Sequence, residues 1–307
     1  MRQPVVWDAD LVRNVIAPEP FFVEKRGKPT PQFHFDTVLV GSDNRELYET
    51  TAQEVVWAAM EGISGTVFAY GESGSGKTFS MMGHDAQPGV IPQAVDDVFN
   101  FIREQSADRE FLLRVSYLEI YKEAIHDLLA PAQQEFRIHE DKKRGVYVSP
   151  LKEEIVTTPK QCLKIIQRGE ANRHVGKTDY NERSSRSHTI FQIPHRAGAQ
   201  GAVMISSLNL IDLAGSEKAA SNLDRRREGA YINRSLLTLG NVIAKLTEER
   251  SHHIPHIPFR DSKLTRILQN ALSGKAKIAV ICTVSPSWNC GEETINTLKF
   301  ANRVKQV

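Results

Sequence analysis

The residues best suited to chemistry are Lys77 and Thr78. They close the run Gly71-Glu72-Ser73-Gly74-Ser75-Gly76-Lys77-Thr78, which fits G-x-x-x-x-G-K-[ST] at every fixed position. Three glycines let the backbone curl with its N–H groups inward, a cradle for phosphate oxygens. Lys77 supplies a mobile positive charge to the β- and γ-phosphates, and Thr78 a hydroxyl for Mg²⁺. A second candidate is Asp212, at the end of the apolar run 203–213. A carboxylate at the C-terminal end of a buried strand stands where α/β sheets bind ligands, and beside a phosphate loop it commonly holds Mg²⁺, directly or through water. A third stretch, Asn181-Glu182-Arg183-Ser184-Ser185-Arg186-Ser187-His188, is rich in hydroxyls and cations. Its composition alone reads as a solvated loop.

The elements that must position these groups follow from periodicity. The β-prone run Thr66 to Tyr70 leads into the loop, and a helix is expected after it. Residues 5–48 read as short strands and turns, with a strand at Gln32–Asp36 closed by Gly41–Asn44. Thr50 or Thr51 is the expected cap of a helix running to about Gly62, with Val55, Val56, Ala59 and Met60 on one face. Val95, Val98, Phe99 and Ile102 mark another core-facing stripe. Phe111 to Tyr121 reads as a long strand, Glu123 to Leu129 as a short helical continuation, and Gln161 to Arg168 as a helix. The clearest helical stripe is Ile232, Leu236, Leu239, Ile243 and Leu246. Leu264, Ile267, Leu268 and Leu272 predict a further helix, Lys277 to Val284 a buried strand, and Ile295, Leu298 and Val304 the last helix.

Composition sets outer limits. A chain of 307 residues, 40% hydrophobic and without a Gly/Ser- or Pro-rich linker, reads as a single domain over 1–307. No apolar run approaches a membrane span, and the first ten residues lack a signal-peptide pattern. Cys162, Cys282 and Cys290 have no metal or disulfide spacing, which points to a reducing cytosolic or nuclear setting. His252, His253 and His256 lack a fourth ligand at suitable spacing and read as a solvated loop. The net charge of +2 leaves only local basic clusters to speak of partners: Lys142-Lys143-Arg144, Arg225-Arg226-Arg227, and Arg260, Lys263 and Arg266.

Together the phosphate loop, Asn-x-x-Ser-Ser-Arg-Ser-His at 181–188 and Asp-Leu-Ala-Gly-Ser-Glu at 212–217 resemble the nucleotide loop, switch I and switch II of the kinesin motor domain. Ser116–Tyr121, Asn233–Leu236, Arg260–Arg266 and Thr297–Ala301 also match the family pattern, and 226–240 is most similar to the kinesin-7 branch, which includes the centromere-associated motors. The resemblance implies an α/β P-loop NTPase fold, with a central, mostly parallel twisted sheet and helices on both faces. It implies ATP and Mg²⁺ as the bound groups. Thr78 and Ser185 would ligand the metal, with Asp212 anchoring its water shell. Asn181 and Ser184 would position the attacking water, Gly215 would sense the γ-phosphate, and Arg186 and Glu217 would pair when the site closes. Phe79 is a candidate to stack on the base. The three basic clusters become the expected face toward the acidic surface of the microtubule, making the chain a microtubule-stimulated ATPase motor domain, plus-end directed, of the cytoskeleton or spindle and kinetochore. Neither nucleic acid nor membrane is expected as a partner.

Two departures stand out. The family's opening strand, Val-x-Val-Arg-x-Arg-Pro, is not seen after Met1-Arg2-Gln3-Pro4, so the first strand and the adenine pocket are the expected gaps, through trimming or loss. Glu72 stands where Gln is usual, and a carboxylate there would weaken nucleotide binding unless it points to solvent. The chain stops where the neck linker would begin, so that lever and a dimerising coiled coil are expected outside it. The alternative functions are a nucleotide-insensitive microtubule-binding module, and a GTPase switch, which the lack of Asn-Lys-x-Asp disfavours.

Overall fold

The computed structural model describes residues 4–107, 109–131, 134–142, 145–174, 185–199, 202–217, 223–248 and 256–307, with the side chains of 174, 199, 202 and 223–233 also outside the description. Strands β1 (Trp7–Asp10), β2 (Val15–Pro18) and β3 (Phe33–His34) form a small antiparallel sheet of their own, and α1 is Pro20–Arg26. Next come α2 (Asn44–Leu47) and α3 (Gln53–Met60), joined by a π-helical turn, then β4 (Gly65–Tyr70), α4 (Lys77–Met81), the short pair β5 (Gly83–His84) and β6 (Gln87–Pro88), and α5 (Val90–Gln105). The middle of the chain holds β7 (Glu110–Tyr121), β8 (Ala124–Asp127), β9 (Arg137–Asp141), β10 (Gly145–Ser149), β11 (Glu154–Ile155) and α6 (Pro159–His174). Beyond it lie β12 (His188–Ala199), β13 (Ala202–Asp212), α7 (Leu223–Thr247), α8 (Lys263–Ile267), β14 (Lys277–Cys282) and α9 (Gly291–Val304).

The central sheet runs β11-β7-β12-β13-β4-β14, with β8 paired to β7. Helices cover both of its faces, as expected, and β4 shows why. All six of its residues are buried. Val67 and Ala69 point into the core built with α3, α5 and α6, while Phe68 and Tyr70 point into the core built with α7 and α8. Such a strand reads as a continuous apolar run because alternate side chains meet different helix layers.

The pairing corrects the expectation of a mostly parallel sheet. Only β13-β4 and β4-β14 pair in parallel; β11-β7, β7-β12, β7-β8 and β12-β13 are antiparallel. Parallel neighbours need a crossover, whereas the two-residue connections of β7–β8 and β12–β13 force reversal. Residues 123–129 are likewise not helical: Lys122 and Glu123 take positive φ and turn the chain into the β7–β8 hairpin. The first helix of the 44–60 region starts at Asn44, capped by Asp43, whose side chain accepts from the amides of Arg45 and Glu46, not by Thr50 or Thr51. Several elements went unforeseen: α1, the short pairs β5–β6 and β9–β10, β11 and the long strand β12. Among the described residues β14 pairs on one side only, and Val5 makes an isolated bridge to Ser287. The small N-terminal sheet and α1 pack Trp7, Phe33 and Phe22 onto Ile295 and Leu298 of α9.

Candidate functional site

β4, β13 and β14 end together, and the three segments that follow them build the site. Asp212 is in register with Ala69, and Cys282 with Tyr70, so the phosphate loop, the 212–217 loop and Thr283 meet at the C-terminal edge of the parallel strands. The loop backbone is tight: Gly71 has φ 155°, and a Cβ there would lie 2.2 Å from the carbonyl oxygen of Thr283. Ser75 Oγ meets Thr283 Oγ1 at 2.6 Å and donates to or accepts from it, anchoring the loop to the end of β14.

Lys77 is buried, and its Nζ donates to the carbonyls of Gly71 and Glu72 at 2.9 and 2.8 Å. Desolvation lowers its pKa, opposed by Asp212, Glu217 and Glu72 in that order. Thr78 Oγ1 donates to Asp212 Oδ2 at 2.6 Å. Asp212 is 4% exposed, and its other oxygen, Oδ1, is buried without a hydrogen-bond partner among the described residues. Burial raises its pKa, while the Thr78 hydroxyl, Arg173 and Lys77 pull it down. A buried carboxylate oxygen lacking a donor is costly, so the hydroxyl–carboxylate pair fits a hydrated Mg²⁺ at this edge.

The 212–217 loop folds back on the phosphate loop. Ser216 N–H donates to Gly71 O at 3.0 Å, and Glu217 accepts from Ser73 N–H at 2.8 Å and from Ser73 Oγ at 2.6 Å. Gly215 lies under this contact, since a Cβ on it would fall 2.3 Å from Glu217 Oε2. The Gly215 amide, expected to sense a γ-phosphate, donates to Ser185 O at 2.8 Å. Ser185 and Arg186 are half-buried at this edge. Asn181 and Ser184 lie outside the described residues.

Glu72 does not point to solvent. It is buried, and its carboxyl is pushed up by desolvation, held back by a hydrogen bond from Cys290, raised further by Glu293 and Glu217, and lowered by Lys77. Phe79 is half-buried, its ring tilted against His84 at 5.8 Å and its carbonyl bound by Asn44 Nδ2 at 3.0 Å. Behind the site, Arg173 of α6 is buried beside Glu119 and Glu170 and donates to Ser187 Oγ at 3.0 Å. Sequence reasoning missed Arg173; the Glu170/Arg173 spacing of three on a helix was its only local signal.

Of the basic clusters, Lys142, Arg260 and Arg266 converge on one groove, together with Glu140 and Asp141. Arg260 pairs with Glu140 at 3.2 Å, so this face is mixed in charge. Lys263 is half-buried at the start of α8, its amide donating to Glu123. Lys143 and Arg144 lie outside the described residues; Arg225, Arg226 and Arg227 fall within α7, without described side chains. His252 and His253 are likewise outside, and no cluster of metal-binding side chains occurs among the described residues.

The kinesin motor domain family profile matches residues 20–307. The chain is 51% identical over 294 residues to the rice (Oryza sativa subsp. japonica) kinesin-like protein KIN-7D, chloroplastic, covering 93% of this chain and 29% of that protein. It is 51% identical over 313 residues to Arabidopsis thaliana kinesin-like protein KIN-7M, chloroplastic, covering 99% and 28%. The solved structure of a fast kinesin superposes with a TM-score of 0.89 at 37% identity, covering 99% of this chain and 86% of that one. The chain thus spans less than a third of the length of these curated relatives.

Proposed function

The chain belongs to the kinesin motor domain family, and from that premise we propose that it hydrolyses ATP, with Mg²⁺, in a cycle coupled to microtubule binding. The observation that carries this reading is the 2.6 Å Thr78–Asp212 contact, with the orphaned Asp212 oxygen beside the phosphate loop. When bound, Mg·ATP supplies the scissile phosphoanhydride and the divalent charge. Thr78 and Ser185 would hold the metal and Asp212 its water shell; the amides of 71–78 and Lys77 would bind the phosphates, and Asn181 and Ser184 would orient the water. Hydrolysis of this kind needs positioning and charge stabilisation more than covalent help.

Glu217 occupies the Ser73 amide and hydroxyl, so a phosphate oxygen and this carboxylate compete for the same donors. Exchange of one for the other frees Glu217 to pair with Arg186 and shut out water. α7 and the basic groups around Lys142, Arg225–Arg227, Arg260, Lys263 and Arg266 face the microtubule. In a longer protein the motor dimerises through a coiled coil and works on the cytoskeleton; plus-end motion and a spindle or kinetochore location extend the kinesin-7 likeness, while the relatives' chloroplastic and mitochondrial names offer organelles instead.

The test is ATP turnover with and without microtubules, beside the variant Asp212→Asn. Microtubules should raise the wild-type rate, and the variant should lose at least ~100-fold, the scale of one charged stabilising group. A folded wild type that binds microtubules equally in ATP, in ADP and without nucleotide, and turns nothing over, would leave a nucleotide-insensitive binding module.

A further inference from the structure

His188 ends the Ser/Arg-rich stretch, and nothing in the hydrolytic site uses it. It is 2% exposed and is the first residue of β12. Ala214 N–H donates to its Nδ1 at 3.0 Å. An amide can only donate, so Nδ1 carries the lone pair and Nε2 the proton. That Nε2–H meets Ser235 Oγ, midway along α7, at 2.8 Å. Burial, with Arg173 and Lys77 nearby, pushes the imidazole down to about 3, so it stays neutral and its tautomer is set by these two bonds.

The neighbouring contacts give this bridge a direction. Ser185 O takes the Gly215 amide and His188 Nδ1 takes the Ala214 amide, so two consecutive N–H groups of switch II are held by residues three positions apart. The third arm of the same clamp reaches α7. Apolar contacts also join these parts, since Leu213 and Ala214 share a core with Leu236 and Leu239. Those contacts are non-directional and tolerate sliding, whereas a hydrogen bond fixes one register.

We infer that His188 is a positioning residue that ties the switch II backbone to α7 through Ser235, so that movement of residues 214–215 displaces the helix in register. The inference rests on the proposed function, in which α7 meets the microtubule. A purely structural histidine would satisfy the same buried groups, so the test must separate coupling from stability.

The experiment uses the whole chain and measures microtubule Kd in ADP and in a non-hydrolysable ATP analogue, with basal ATP turnover and thermal midpoint alongside. The variants are Ser235→Ala, His188→Asn and the double. Asn retains an oxygen for the Ala214 amide but is too short to reach Ser235. Ser235→Ala should shrink the ratio of the two Kd values about fivefold, the worth of one buried hydrogen bond, with basal turnover within about twofold. The double variant should match Ser235→Ala, because both remove one link. A Kd ratio in Ser235→Ala within about twofold of wild type, a parallel loss of basal turnover, or independent effects in the double would overturn the inference. If His188→Asn does not fold, Ser235→Ala alone decides. A wild-type ratio near one overturns the underlying reading instead, before any variant is made.

Discussion

Replacing Glu72 by Gln isolates a cost within the phosphate loop. The carboxylate is 9% exposed, and its Oε1 is buried without a hydrogen-bond partner among the described residues. Desolvation raises its pKa most, and Glu293 and Glu217 add to this against the Cys290 hydrogen bond and Lys77. A carboxyl raised on folding binds its proton more tightly in the folded chain. Folded stability therefore grows as pH falls through the raised value toward the unfolded value, near 4.3, and the full penalty is present well above it. Glutamine has the same shape and keeps an oxygen for the Cys290 thiol, but carries no charge. An unpartnered buried polar group costs about 1–3 kcal/mol, and the amide removes only part of this. We expect Glu72→Gln to stabilise the nucleotide-free chain by about 1 kcal/mol at pH 8, a rise in Tm of about 2 °C. The gain should shrink at pH 4.5, close to the unfolded value. Thermal unfolding of both proteins at the two pH values measures it, and other titrating groups cancel in the difference. An equal gain at both pH values, or a loss at pH 8, would refute the reasoning.

Further expectations follow from the same contacts. Thr78→Val strips the hydroxyl from Asp212, and single-turnover ATP hydrolysis should slow at least ~100-fold while circular dichroism stays that of the wild type. Burial pushes Cys162 and Cys282 up to about 12, so alkylation of the folded chain at pH 8 should add at most one adduct, on Cys290; mass spectrometry showing two or more contradicts this. Leu239→Ala empties a fully buried position on α7 and should cost about 3 kcal/mol in urea unfolding. Replacing Arg225–Arg227 by Ala should weaken microtubule affinity with basal turnover nearly intact; unchanged co-sedimentation at low salt would remove these residues from the interface.

Much of the scaffold was legible because its code is local. The loop 71–78 needs its glycines and its Lys-Thr pair in one short run, and β4 announces burial on both faces by being apolar throughout. The stripes of α5 and α7 appeared at helical spacing for the same reason: one face of each meets the sheet. Residues 123–129 misled because Ile125, Leu128 and Leu129 have helical spacing, yet pairing with β7 supplies the backbone partners that make Ala124–Asp127 a strand. Helix propensity is a weak prior against such a tertiary partner.

The sequence by itself pointed to the groups expected to bind phosphate and metal, and determined the family to which the chain belongs. Only the tertiary structure decided where Glu72 points, that Glu217 rests on Ser73 across 144 positions, and that His188 joins residues 26 and 47 positions away. Those contacts depend on how β4, β12, β13 and α7 pack. Directional bonds between distant segments leave no periodic trace in any one of them.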